Sequence, residues 1–395
     1  MQCNVKSIVT AALFSSLCSI PMYSQKASAQ AASSAPVATI YIQGHKGVYV
    51  YNVSSAGKLT LVKGSPTWLS GGMAGVRGSY IMTAGTDDLR TYKLESNGAL
   101  GDKVGEIDTQ NYSGSQCGTI DGGTLLDHTG QYFTVPLYGG PTCAALQTFK
   151  IASSGQFTFL GDSESTDSVH TDIYQVDAST YSSNDLFAYG VEQQQDGSSY
   201  LAYKRGAAGD LVVNSAFTEK DPTYNPSNNS YNYAPVIVAA DNASHLAVVM
   251  NQPFGRNCCE NYSLASYTIN DQTGGIVSTN TYQNMPVLKG TADDMAMSWG
   301  GNVVAVGGGD PSAGDPGLQL FHFNGAAPAT AFKDLLPGVG IDEVMWDKYN
   351  HLYALSNSSQ ELYVYTVTST TVTPVSGSPY KADGADWTGF LVASK

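Results

Sequence analysis

The sequence predicts an all-β fold: a seven-bladed β-propeller closed by the C-terminal strand joining the first blade. Three observations carry this. A strand–turn–strand unit recurs seven times. Apolar and polar residues alternate along its strands, with no capped stretch at helical spacing. One apolar strand is missing from the first unit and supernumerary after the last. Composition agrees: 13% of the 395 residues are charged, about half the ~25% of an average domain, while 25 tyrosines outnumber the 19 Lys and Arg. Length alone would suggest two or three domains, but large β folds run long as one.

The elements follow in chain order. Residues 1–29 read as a cleaved signal peptide. Lys6 precedes the apolar run Ser7 to Ile20, and Ala27-Ser28-Ala29 supplies a small-x-small cleavage site. That run falls short of the ~20 residues a membrane helix needs, and no later segment is long and apolar enough. A secreted protein, periplasmic or extracellular, is expected, with residues 30–395 as its single propeller domain. The first unit reads Tyr41-Ile42, then Val48-Tyr49-Val50-Tyr51, then Gly57-Lys58-Leu59. The second reads Tyr80-Ile81-Met82, Leu89-Arg90-Thr91-Tyr92 and Gly98-Ala99-Leu100. Later copies centre on Phe149, Tyr203, Tyr267, Phe321 and Tyr365, so the anchors stand 41 to 64 residues apart. Four short strands at such a spacing are the mark of propeller blades.

An apolar strand precedes most motifs and is assigned as the innermost: Thr124-Leu125-Leu126, Ile173-Tyr174-Gln175-Val176, Val236-Ile237-Val238, Met295-Ala296-Met297 and Val344-Met345-Trp346. The spare copy, Gly389-Phe390-Leu391-Val392, completes the first blade and removes both free sheet edges. Gly64-Ser65-Pro66 and Gly377-Ser378-Pro379 mark equivalent turns.

A net charge of −14 excludes a nucleic-acid partner, which needs clustered basic residues. The long connections fall on one predicted face, around the central funnel. Cys117 and Cys143 share that face of the third blade and are expected to pair. Cys258 and Cys259 are adjacent, and a vicinal disulfide is expected between them. His128, His245 and His351 fall in turns on the opposite face. His45 and His170 point toward the funnel, and Asp172, two residues beyond His170, shares its side of an extended chain, giving a general base and its orienting partner. Acidic residues recur where innermost strands begin: Asp121, Asp172, Asp293, Asp294, Asp342, Glu343 and Asp386. They would bind a polar ligand, with Trp68, Trp387, Tyr231 and Tyr233 as stacking surfaces. Their oxygens also suit Ca²⁺, with Asp293 and Asp294 as the metal pair, although no cofactor is required. Solvated strand ends capped by Asp would give the same pattern.

The seven units, the Tyr-x-Val strand before Gly-x-Leu and the Gly-Ser-Pro turns resemble the 6-phosphogluconolactonase-like lactonase family. The resemblance spans nearly all of residues 30–395. It implies a funnel site in which a histidine, an arginine, a glutamate and a second arginine surround a lactone. His170, within Ser168-Val169-His170-Thr171-Asp172, fits the histidine. The first arginine segment reads Tyr233-Ala234-Pro235-Val236 here. The acid-bearing strand reads Val249-Met250-Asn251-Gln252, and the last arginine corresponds to Gly307-Gly308. Arg77 and Arg256, in segments expected on the funnel side, are the cations left. Hydrolysis needs a base and a positive group for the oxyanion. The expectation is therefore a lactonase-like propeller binding a small polar or carbohydrate-type ligand. Only one of the four family catalytic positions matches, and if the protein is an enzyme it is a lactonase-type carboxylic ester hydrolase with His170 and Asp172 as its acid/base pair. The alternative is a non-catalytic scaffold that binds a glycan or a protein partner.

Overall fold

The recurring anchors fall at one structural position. In the computed structural model, which describes residues 35–111, 119–120, 123–138, 144–164, 175–194, 197–223, 233–251, 262–381 and 386–395, seven sheets of four or five strands succeed one another and no helix occurs among those residues. With strands lettered a to d from the innermost outward, every anchor lies on strand c. Tyr51 pairs with Ile40 on b and Leu61 on d; Tyr92 with Ile81 and Lys103; Tyr365 with Leu352 and Pro374. Phe149, Tyr203, Tyr267 and Phe321 sit equivalently.

Closure is as expected. Strand Trp387–Ser394 pairs antiparallel with Ala38–Gly44 and becomes strand a of blade 1. The two Gly-Ser-Pro turns match in detail: both Ser–Pro bonds are cis, and the Ser65 and Ser378 hydroxyls accept hydrogen bonds from the Val50 and Val364 N–H groups.

The alternating pattern has a specific cause. Successive side chains of a strand enter different seams between blades. Ile40 and Ile42 pack against blade 7 with Tyr353 and Leu362, whereas Tyr41, between them, packs against blade 2 with Ile81 and Leu94. Seven apolar clusters result, one at each seam. Central strands are thus buried on both faces, which leaves little room for charge.

Glycines of the c–d turns are needed twice over. Gly57, Gly98, Gly155, Gly209, Gly274 and Gly325 all have positive φ, where a side chain is strained. Each also abuts the preceding blade: a Cβ on Gly57 would fall 2.7 Å from Val375 Cγ2, and one on Gly209 2.4 Å from the Tyr132 ring. At this end of the propeller the a–b turns carry His128, His245 and His351, as expected. In blade 7, Asp347 accepts from the His351 backbone N–H at 3.0 Å and the Tyr353 hydroxyl at 2.9 Å, with His351 Nδ1 at 2.7 Å.

Candidate functional site

The opposite end holds the b–c turns and the starts of the a strands. Strand a of blade 6, Ala292–Met297, and strand a of blade 7, Glu343–Trp346, place Asp294 and Glu343 at equivalent positions. Counted from the anchors, Asp294 pairs with Gly307 and Glu343 with Leu355, each three residues along strand b from the anchor's partner. With Asp293 and Asp342 they line one cavity of about 880 Å³ whose wall also includes Gln43, Thr124 and Thr388. Among the described lining residues none is basic.

Each of the two deeper carboxyls crosses a seam. Asp294 Oδ2 accepts from the Val344 N–H of blade 7 at 2.8 Å, and its Oδ1 accepts from Met295 N–H at 2.8 Å. Glu343 Oε2 accepts from the Phe390 N–H of blade 1 at 2.9 Å. Gly389 makes that contact reachable, because a Cβ there would stand 2.9 Å from Glu343 Oε1. Asp342 Oδ2 accepts from Asn357 N–H at 2.7 Å. Both deep acids touch the cavity but are removed from bulk water, which disfavours their charged forms. Desolvation therefore holds Asp294 at about 6 despite its two N–H donors. The same cause, helped by repulsion from Asp294 and Asp342, holds Glu343 at about 7. Asp293 is raised too, by burial and then by Asp342.

The remaining expected residues divide. His45 and Asp386 meet at the rim, with Nδ1 and Oδ2 3.5 Å apart and both side chains 71% exposed. Trp68 stands out from the same end, 72% exposed. Two stacking surfaces expected from the sequence are instead core: Trp387 is buried in the seam between blades 7 and 1, and Tyr233 in that between blades 4 and 5. Arg77 is corrected as well. It ends strand Gly72–Arg77 at the opposite mouth, since a short turn at Gly78 and Ser79 leads directly into strand b. His170, Asp172, Asp121, Tyr231, Arg256 and Cys117, Cys143, Cys258 and Cys259, like the expected signal peptide, lie outside the described residues. No group of three or more His, Cys, Asp or Glu among the described residues is arranged to hold a metal ion, so the Ca²⁺ expectation gains no geometric support.

Sequence reasoning missed Asp177. Its backbone pairs with Val191 in blade 4, the register position of Asp294 and Glu343, but an irregularity between Asp177 and Thr180 breaks the alternation that would have revealed it. The last arginine of the resemblance is excluded sterically. A Cβ at Gly308 would lie 2.2 Å from the Thr291 carbonyl oxygen, and Gly307 pairs with Asp294.

No family model matches the chain, and no curated protein matches it. Solved structures do. A proposed 6-phosphogluconolactonase of Bacteroides fragilis NCTC 9343 superposes with a TM-score of 0.60 at 10% identity, covering 90% of this chain and 98% of that one. The periplasmic gluconolactonase of Pseudomonas aeruginosa gives a TM-score of 0.56 at 10% identity, over 90% and 99%. A protein of Desulfotomaculum acetoxidans DSM 771, described as functionally unknown, gives 0.54 at 13% identity, also over 90% and 99%. What these proteins share with the chain is the propeller fold.

Proposed function

We propose that the acidic funnel binds a small polar, carbohydrate-type ligand, and that the protein acts as a secreted binding propeller. The observation that carries this reading is the cavity of about 880 Å³ with Asp293, Asp294, Asp342 and Glu343 in its wall and no basic side chain among its described lining residues. A polyol presents hydroxyls that both donate and accept. Carboxylates accept from them, and Glu343, poised at about 7, also donates when protonated. A phosphorylated ligand would meet like charge without a compensating cation. His45, Asp386 and Trp68 stand at the rim, and Asp121 and Tyr231 are assigned to the same face by the sequence. Calorimetry with neutral mono- and disaccharides and with aldonolactones tests the reading. Binding that Glu343→Gln weakens tenfold or more supports it, and no heat with any of these ligands rejects it.

Lactone hydrolysis is the second reading, favoured by the same poised carboxyl, since a group titrating near neutrality is suited to general-base work. The lactonase names of the neighbours point the same way. His170 and Asp172 are the acid/base pair of this reading. A lactone screen on wild type and His170→Ala decides it: turnover abolished by the substitution supports the pair, and turnover that survives excludes His170.

A further inference from the structure

The other mouth of the propeller carries a second cavity, of about 580 Å³, with a different chemistry. Its wall includes Arg77 from blade 2, His128 from blade 3, Trp299 from blade 6 and Trp346 from blade 7. The chain has four arginines. Of the three among the described residues, Arg90 is held by Asp88 and by Glu106 at 2.9 Å. Arg205 lies 3.6 Å from Asp127 and stacks on Tyr132 and Tyr181. Arg77 has no carboxylate partner among the described residues; it donates to the Ile151 carbonyl at 3.4 Å.

Arg77 is nonetheless fixed in place. Its stem lies along the turn of blade 3 at Gly130, where a Cβ would fall 2.6 Å from both Cγ and Cδ, and φ at Gly130 is +62°. Any side chain there would be strained and would displace the arginine. In a chain with 33 acidic residues, a half-buried guanidinium left without a carboxylate in a concave wall matches an anion from outside. Its planar fork suits carboxylate and phosphate alike.

The indoles supply the rest. Trp346 Nε1 donates to the Ala296 carbonyl at 3.1 Å, which pins its ring. Trp299 is 61% exposed, an unusual position for so large an apolar surface. The acids nearby do not satisfy Arg77. Asp127 accepts from the Gln131 and Tyr132 N–H groups and the Thr129 hydroxyl, and faces Arg205. His128 is paired with Asp185, Nδ1 to Oδ1, at 2.7 Å. Glu95 also lines the cavity but makes no ion pair among the described residues.

We infer that this mouth is a second binding site, for an anionic monosaccharide, with Arg77 taking the acid group and Trp299 with Trp346 taking the ring. A uronate and a sugar phosphate share that chemistry. Calorimetry at low ionic strength with glucuronate, glucose 6-phosphate, glucose and inorganic phosphate tests it. Saturable binding of either acidic sugar, at least tenfold tighter than glucose and than phosphate alone, is expected, and the tighter of the two identifies the acid group. Arg77→Gln should erase that preference. Trp299→Ala should weaken binding by tenfold or more with an unchanged melting curve, because the ring is largely outside the core. Glucose binding as well as glucuronate, no binding of either acidic sugar, or wild-type affinity in both variants would each overturn the assignment.

Discussion

Glu343→Gln isolates the electrostatic cost of the funnel. Burial holds the folded carboxyl at about 7, against 4.5 for an exposed glutamate. Folding therefore takes up a proton between those values, and the stability contribution of this group rises as pH falls through 7 and levels off below about 4.5. At 1.36 kcal/mol per pH unit of displacement, the shift from pH 8 to pH 5 recovers about 2.5 kcal/mol from Glu343 alone. The glutamine amide oxygen still accepts from Phe390 N–H, so packing and the cross-seam hydrogen bond are kept while the charge is removed. The variant should be more stable than wild type at pH 8, by about 3 kcal/mol at most, and the two should converge toward pH 5. In a propeller of this size that is a difference of roughly 3–5 °C in Tm at the alkaline end. Asp294, Asp293, Glu219 and Asp221 are raised in the same sense. Asp294, whose charge repels that of Glu343, is partly relieved in the variant, which adds to the difference at alkaline pH. Asp185 and Asp347 are lowered, so their stabilisation is lost only as pH falls below the ordinary carboxylate range. Thermal unfolding from pH 5 to pH 8 provides the comparison. Parallel curves for the two proteins would refute the reasoning.

Three further outcomes are expected. Asp347→Ala removes the acceptor shared by His351 N–H and the Tyr353 hydroxyl and should cost about 3–5 kcal/mol in urea unfolding; wild-type stability would deny that this turn staples blade 7. Ending the chain before Trp387 strips strand a from blade 1 and should abolish the cooperative transition, whereas a full-length-like melt would contradict closure. Thiol titration of the denatured protein lacking residues 1–29 should find no free sulfhydryl if Cys117–Cys143 and Cys258–Cys259 are bonded; two would remove one of the pairings and four would remove both.

Much of the fold was legible because the c strands are the most regular part of the ring. Tyr51 and Tyr365 are framed by residues that must fill two seams, and that demand writes itself as aromatic and β-branched runs. The surplus Gly389-Phe390-Leu391-Val392 was legible for the same reason. Innermost strands are harder to read, since one face meets the channel. Gly72–Arg77 reads Gly-Met-Ala-Gly-Val-Arg, which shows no clean alternation, and without that strand Arg77 is assigned to the wrong mouth. The acids at the strand starts were legible as a group, and Asp293, Asp294, Asp342 and Glu343 do converge. Burial of the aromatics was not legible, because it depends on register at single-residue resolution. Trp387 pairs with Gly44 only after a shift at Gln43 and Gly44, and that places its ring in a seam.

The two deep carboxyls have a structural duty that bears on any ligand. Among the described residues adjacent blades share no ladder of main-chain hydrogen bonds, and side chains link them near the channel. Met73 N–H donates to Gln43 Oε1, the Thr124 hydroxyl to the Ala74 carbonyl, Val344 N–H to Asp294, and Phe390 N–H to Glu343. Asp294 accepts one N–H on each oxygen, Oδ2 from Val344 across the seam and Oδ1 from Met295 on its own strand, and offers a ligand chiefly its field. Glu343 has Oε1 free of hydrogen bonds among the described residues, so it is the carboxyl that can meet a hydroxyl directly. The pH dependence of binding then reports its role. A ligand that donates to ionised Glu343 binds more tightly as pH rises through about 7, whereas one that accepts from its protonated form binds more tightly as pH falls. Glu343→Gln flattens either profile, and a slope that survives the substitution assigns the titration to another group of the funnel.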